Sequence, residues 1–203
     1  GATKYADNKL FAYLVFVTKF LTYNLSYKII ANAKKSSDCI KKFTYRKNKI
    51  ILLNNPTLSK LHKIKNKVSK KYFLNIGRYC KQKNQSFLID TFYKFNKVNN
   101  AFILILNGDG PDKKKLKEKV DRLQLNKKVK FIGWKKYNED LYKKAKLFIL
   151  TSYYEGMPNV LIEALNNEIP VIAFNASGVE DLLIGGKGGE IFHNMRSSEL
   201  LDK

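Results

Sequence analysis

Two carboxylates, Glu155 and Glu163, bracket the start of a helical pattern in the stretch Thr151–Asn166, TSYYEGMPNVLIEALN. An ionised carboxylate can accept hydrogen bonds from both hydroxyls of a vicinal diol, such as a ribose or a pyranose, so ionised acids suit diol binding better than phosphate binding. Some seventy residues earlier a different chemistry is offered, where Gly77 is followed at once by Arg78, Lys81 and Lys83. Glycine permits close backbone approach, while guanidinium and ammonium groups donate charge-assisted hydrogen bonds to phosphate oxygens. Phosphate donors and sugar-hydroxyl acceptors on one surface would describe a site for a nucleotide-linked sugar. Each feature also has a plainer explanation. Acids near a helix start complement its dipole, and lysine is common throughout this chain, so Arg78 is the more telling cation.

The positioning elements can be read from the apolar runs. Strands are expected at Tyr72–Ile76, Ala101–Leu106, Val129–Ile132, Leu147–Leu150, Pro170–Phe174 and Glu190–Phe192, with helices at Asn84–Asn96, Pro111–Leu123, Asn138–Ala145, Asn159–Asn167 and Val179–Ile184. Most of these strands are continuous apolar runs, as expected where helices cover both faces of a parallel sheet. The fold class is therefore α/β, a Rossmann-like parallel sheet with helices on both faces. Such a sheet carries every strand's C-terminal loop on one edge, where ligands bind. The loops at Gly77-Arg78, Asn107–Gly110, Gly133-Trp134 and Ser152–Pro158 would gather there. Pro111 and Pro158 each suit a first helical position, which would place Glu163 in the second turn and Glu155 just outside the helix. Gly108-Asp109-Gly110-Pro111 reads as a tight strand-to-helix connection, with a backbone contact to ligand as an added role. Neither a dinucleotide-binding glycine fingerprint nor a phosphate-binding P-loop is present.

Earlier residues are organised differently. Residues 9–25 form an apolar helical pattern, but Lys19 interrupts it and the uninterrupted run is too short to span a bilayer. A buried or surface-lying amphipathic helix is expected. A short strand at 28–32, a helix at 33–42 with Ser36, Ser37 and Asp38 as capping residues, and a strand at 50–53 follow. Residues 54–70 read as a polar, basic linker. The organisation expected is residues 1–53 as part of one domain, a linker over 54–70, and a second domain over 71–203.

Composition bounds the function. The formal net charge is +22, and residues 1–100 carry 22 basic against 3 acidic residues, whereas 101–203 carry 17 against 14. That asymmetry fits a general lysine bias, or a surface facing an anionic membrane, a phosphorylated substrate or nucleic acid. Two cysteines, Cys39 and Cys80, with no histidine clustered near them, argue against a disulfide framework or a zinc site and fit a reducing compartment. His62 and His193 form no ligand motif. The chain begins without Met and stops as a helical pattern opens at Ser198–Leu201, so it is expected to be a piece of a longer protein.

Several of these motifs stand together in a known family. The segment S-x-x-E-G-x-P-N-V-L-I-E-A, with seven residues between Glu155 and Glu163, resembles the signature of the retaining glycosyltransferases of family four. The likeness continues through Gly77-Arg78 with Lys83 five residues after the arginine, Gly108-Asp109-Gly110-Pro111, Phe131-Ile132-Gly133 and Pro170–Ala173, and covers about Lys71 to Phe192. The resemblance implies a GT-B fold, with this region as the donor-binding C-terminal domain and residues 1–53 as the last portion of the acceptor-binding domain, including Ile30-Ala31-Asn32-Ala33-Lys34-Lys35-Ser36. It implies that Arg78 and Lys83 bind the donor diphosphate, that Glu155 contacts the sugar and that Glu163 contacts the ribose. Backbone N–H groups over Gly156, Met157, Pro158, Asn159 and Val160 would meet phosphate, with Gly77 and Gly108 alongside and Ile132 against the base. It further implies a nucleotide diphosphate sugar donor, most commonly of uridine, no tightly held metal or other cofactor, and a glycan or lipid-linked acceptor in envelope assembly at the cytoplasmic membrane face. Asn84, where the family usually has glycine, and the glycine run Gly185–Gly189 depart from the pattern. With most of the acceptor domain outside it, this chain alone is expected to bind donor weakly and transfer nothing. Two other readings stand beside this one. A sugar-nucleotide epimerase would share the fold, and a nucleic-acid-binding module would show strongly salt-dependent affinity but has no aromatic-rich or recognition-helix pattern behind it.

Overall fold

Six parallel strands in the order β5-β4-β3-β6-β7-β8 form the larger sheet of the protein. The computed structural model describes residues 9–55, 72–134, 139–186 and 188–203. The chain divides into two compact units, Gly1–Asn55 and Pro56–Lys203. All but two of the residues of the expected linker lie outside the described ones.

In the first unit, α1 (Lys9–Leu25) leads to β1 (Ile29–Ala31), α2 (Lys34–Lys41) and β2 (Ile50–Leu52), and the two strands pair in parallel. Asn24 ties the unit together. Its Nδ2 donates to the carbonyls of Phe20 and Phe43, and its Oδ1 accepts from the Thr44 hydroxyl and the Tyr45 N–H. The capping expectation fails here. The N-cap position is Ala33, without a side-chain cap, and Ser36, Ser37 and Asp38 lie inside α2. Asp38 pairs instead with Lys41 one turn on, at 2.8 Å. No helix among the described residues is long and apolar enough to cross a membrane.

The second unit runs β3 (Tyr72–Ile76), α3 (Gln85–Val98), β4 (Ile103–Asn107), α4 (Lys113–Arg122), β5 (Val129–Phe131), α5 (Glu139–Lys143), β6 (Ala145–Leu150), α6 (Asn159–Asn166), β7 (Val171–Phe174), α7 (Val179–Leu182), β8 (Gly189–Phe192) and α8 (Ser197–Leu201). Every pairing is parallel. Two apolar layers explain the continuous strand patterns. On one face Leu74, Phe148, Leu150 and Val171 pack with Tyr142 of α5, Leu161 and Ala164 of α6, and Val179 of α7. On the other, Leu104, Leu106, Ile149 and Ile172 pack with Leu88 and Phe92 of α3, Leu116 and Val120 of α4, and Leu200 of α8. A fully buried leucine such as Leu161 contributes about 2 kcal/mol relative to exposure.

Boundaries differ from the sequence reading where turn chemistry was misjudged. Pro111 precedes α4 by two residues, and Asp112 holds the N-cap position. Pro158 is itself the N-cap residue of α6, extended at φ −75° and ψ 106°, so Asn159 is the first helical position. The glycine run turns out to be a geometric need: Gly185, Gly186 and Gly188 all have positive φ.

Candidate active site

In the strand order, β3 and β6 are neighbours whose chain continuations run to opposite sides of the sheet. This is the switch point at which loops diverge and leave a crevice beyond the strand ends. The loops after β3 and β6 therefore lie side by side at the strand ends, and they carry the cations and carboxylates singled out above.

The two loops are stitched together by hydrogen bonds. The Thr151 hydroxyl donates to the Lys83 carbonyl at 3.0 Å, the Tyr153 N–H to the Gln82 carbonyl at 2.9 Å, and Gln82 Nε2 to the Tyr154 carbonyl at 2.8 Å. Across this seam Lys83 Nζ meets Glu155 Oε1 at 2.5 Å, with side chains only 20% and 9% exposed. Sequence reasoning gave these residues separate roles. The fold joins them across 72 positions of chain, so the two act as one ion pair. The Lys83 stem lies over Gly77, where an added Cβ would meet Cδ at 3.4 Å. Gly77 is buried and Arg78 is exposed beside it. No carboxylate of the described residues pairs with the Arg78 guanidinium, while its carbonyl accepts from Gln85 Nε2 at 3.2 Å. Asn84 holds φ 51° and ψ 41°, the left-handed conformation that glycine adopts freely and asparagine tolerates better than most residues. Asparagine is thus a residue that this left-handed backbone admits.

Glu163 occupies a different environment. It sits in the second turn of α6, half-buried, and its Oε2 accepts a hydrogen bond from the Tyr142 hydroxyl. Burial raises its carboxyl above the ordinary carboxylate value, and the Tyr142 hydroxyl partly opposes that shift. Tyr142 was read as one residue of a helix; its hydroxyl belongs to the site. Gln82 and Thr151 were likewise missed, because nothing in their local pattern marks a seam between loops so distant in sequence.

The turn before α6 is fixed from below. Gly178 has φ 77°, and a Cβ there would fall 1.9 Å from the Gly156 carbonyl oxygen, so only glycine lets the β7–α7 loop support this turn. Gly156 and Asn159 are exposed, Val160 is half-buried, and Met157 and Pro158 are buried. Pro158 has no N–H, which removes it from the set of backbone donors expected at the helix start. On the neighbouring strand ends, the Gly108 N–H donates to the Gly133 carbonyl at 3.0 Å and the Ile132 N–H to the Leu106 carbonyl at 3.1 Å. Asp109 is held low by its hydrogen bond to Lys113 and by the Gly110 N–H. Tyr79 anchors this side: buried, it donates to the Leu106 carbonyl at 2.8 Å, and its N–H donates to the Asp109 carbonyl.

With this geometry in place, the family model "Glycosyl transferases group 1" matches residues 59–203. The chain belongs to the group 1 glycosyltransferases. Among its relatives, an uncharacterized glycosyltransferase of Methanocaldococcus jannaschii is 35% identical over 170 residues, 75% of this chain and 42% of the relative. The amylovoran biosynthesis glycosyltransferase AmsD of Erwinia amylovora is 35% identical over 102 residues, 50% of this chain and 28% of the relative. This group 1 chain thus spans less than half the length of these relatives. Among solved structures, Anabaena HepE in complex with UDP-glucose matches with a TM-score of 0.80 at 24% identity, covering 92% of this chain and 55% of that one. Staphylococcus aureus TarM matches with a TM-score of 0.78 at 24% identity, covering 87% of this chain and 35% of that one. The α/β architecture is accordingly that of GT-B glycosyltransferases, and neither the epimerase nor the nucleic-acid reading finds support in these comparisons.

Proposed function

We propose that this chain supplies the donor side of a glycosyltransferase that moves a hexosyl group from a nucleotide diphosphate sugar to an acceptor hydroxyl, with retention. The observation that carries the reading is the Lys83–Glu155 pair that joins the β3 and β6 loops, with Arg78 exposed on the same loop as Lys83. Arg78 and Lys83 bind the diphosphate and stabilise charge on the departing nucleotide. Fixed cations aimed at developing charge are worth most where water is thin, and they cost no reorganisation during reaction. Glu155, positioned by Lys83, accepts from hydroxyls of the sugar. Glu163 accepts from the ribose, Ile132 and Gly108 border the base side, and the N–H groups of Gly156, Met157, Asn159 and Val160 face phosphate. In this reading cationic side chains, not a tightly held metal, carry the charge stabilisation. Residues 1–53 contribute part of the acceptor-binding domain, 71–203 the donor-binding C-terminal domain, and the chain by itself transfers nothing.

The setting proposed is assembly of an envelope polysaccharide or glycolipid on the cytoplasmic face of the membrane. The amylovoran enzyme's name places that relative in polysaccharide synthesis. The excess of 22 basic over 3 acidic residues in positions 1–100 suits an anionic surface bearing a lipid-linked or glycan acceptor. Uridine is the proposed base, in keeping with the UDP-glucose bound by HepE. Thermal denaturation with a panel of uridine, guanosine and adenosine diphosphate sugars tests the reading. Saturable stabilisation by one nucleotide is expected, and both Arg78→Ala and Glu163→Ala should abolish it. Variants that respond as the parent does would place the site elsewhere.

A further inference from the structure

The ribose assignment of Glu163 leaves open what aims its carboxylate. Among the described residues, the Tyr142 hydroxyl is the one side-chain group that hydrogen-bonds to the Glu163 carboxylate, and no described cation pairs with it. A carboxylate fixed through one oxygen keeps the second oxygen, and the remaining lone pair of the first, available to a pair of vicinal hydroxyls.

Tyr142 is unusually well placed to be such a fixed donor. It is 1% exposed and sits in the same apolar layer as Leu161 and Ala164 of α6. Its ring stacks on Phe148 of β6, with centroids 6.3 Å apart and planes 27° apart. The helix that carries it is tied to β3, since the Tyr72 hydroxyl donates to the Leu141 carbonyl at 2.7 Å. The donor is thus held by packing from β6 and by a hydrogen bond from β3, while its acceptor rides on α6. A phenol also donates without bringing a positive charge, so the carboxylate is oriented without being neutralised by a cation.

Resting on the reading that Glu163 binds ribose, we infer that Tyr142 is a positioning residue for the nucleotide. It holds Oε2 of Glu163 so that the carboxylate meets the 2′- and 3′-hydroxyls in one fixed orientation. Specificity for a ribonucleotide, supplied by Glu163, is then sharpened by a side chain that never touches the nucleotide. A rotating carboxylate would present the same charge but lose orientation, and truncation of the hydroxyl alone should reveal this.

The test uses the whole chain and its Tyr142→Phe variant, which retains the ring that packs on Phe148. Calorimetric titration is done with whichever of UDP, GDP or ADP binds the parent most tightly, and with that nucleotide's 2′,3′-dideoxy counterpart. Tyr142→Phe should weaken the ribonucleotide about tenfold and leave the dideoxy nucleotide bound as the parent binds it. Adding Tyr142→Phe to Glu163→Gln should cost little more, because the two residues act through one contact. Equal loss for both nucleotides would assign Tyr142 to packing and overturn the inference, as would no loss at all. If Glu163→Gln binds ribonucleotide as the parent does, the ribose assignment itself is wrong; if it loses binding while Tyr142→Phe does not, only the positioning role fails. A parent that binds none of the three nucleotides overturns both.

Discussion

Glu155 and Glu163 are the same residue type, one on the turn before α6 and one within it, yet the fold treats them oppositely. Glu155 lies on the loop and meets a cation at 2.5 Å, Lys83 from the loop after β3. Glu163 lies inside α6 and meets a neutral phenol from the layer beneath. A paired carboxylate has its charge compensated locally and its position set by a partner that itself belongs to the site. A carboxylate in half-buried surroundings with a neutral donor keeps its charge uncompensated, and its carboxyl is raised by desolvation. Spacing in a motif fixes where acids stand along the chain, while the layer each one faces decides what it can bind.

Breaking the Glu155 side should cost stability as well as donor binding, and breaking the Glu163 side should cost binding alone. The largest effect is expected at Gly178, where Ala would bring a Cβ to 1.9 Å from the Gly156 carbonyl at a φ of 77°. Gly178→Ala should destabilise by about 3 kcal/mol or more in urea denaturation, through the loop that bears Glu155. Next is Lys83→Met, which preserves an unbranched stem over Gly77 but leaves Glu155 without its cation. A loss of about 3 kcal/mol is expected, and the double variant with Glu155→Gln should recover much of it. If Lys83→Met alone is neutral, the pair is not the buried unit described.

On the other side, Glu163→Gln should abolish most nucleotide affinity without lowering the melting temperature. The pH dependence carries the same signature. Because the folded value for Glu163 is raised, the folded form takes up a proton more readily than the unfolded form. Its charged state therefore costs stability above the folded value, and that cost disappears as pH falls through the folded value towards the ordinary 4.5. The parent should gain stability relative to Glu163→Gln over that fall, while losing nucleotide as the carboxylate is neutralised. Paired denaturation and binding profiles check both limbs. The smallest effect is expected at Asn84, at φ 51°. Asn84→Gly should lie within about 0.5 kcal/mol of the parent, whereas Asn84→Val should cost about 1–2 kcal/mol.

Much of the fold was legible because its strands are apolar on both faces. Tyr72–Ile76 was read to the residue, and every other strand of the larger sheet was located within two residues. β6 begins earlier than read, at Ala145, because Lys146 stands exposed within it and masked its start. Helix starts were harder. Ser36, Ser37 and Asp38 look like caps in sequence, but α2 runs through them because Ala33 already leaves β1 in an extended conformation. At the site, Arg78, Lys83, Glu155 and Glu163 could be found by residue type and family motif. Their partners could not. Lys83 finds Glu155 only because β3 and β6 are adjacent in the sheet, and Tyr142 finds Glu163 only because α5 and α6 share one face of it. Neither adjacency has a local sequence signal.

The most direct test of the account is a crystal structure of the chain with the nucleoside diphosphate it binds best. Both ribose hydroxyls are expected at hydrogen-bond distance, about 2.7 Å, from the Glu163 carboxylate, with the diphosphate against Arg78 and Lys83. A nucleotide whose ribose lies away from Glu163, or whose phosphates avoid the β3 and β6 loops, would contradict this arrangement.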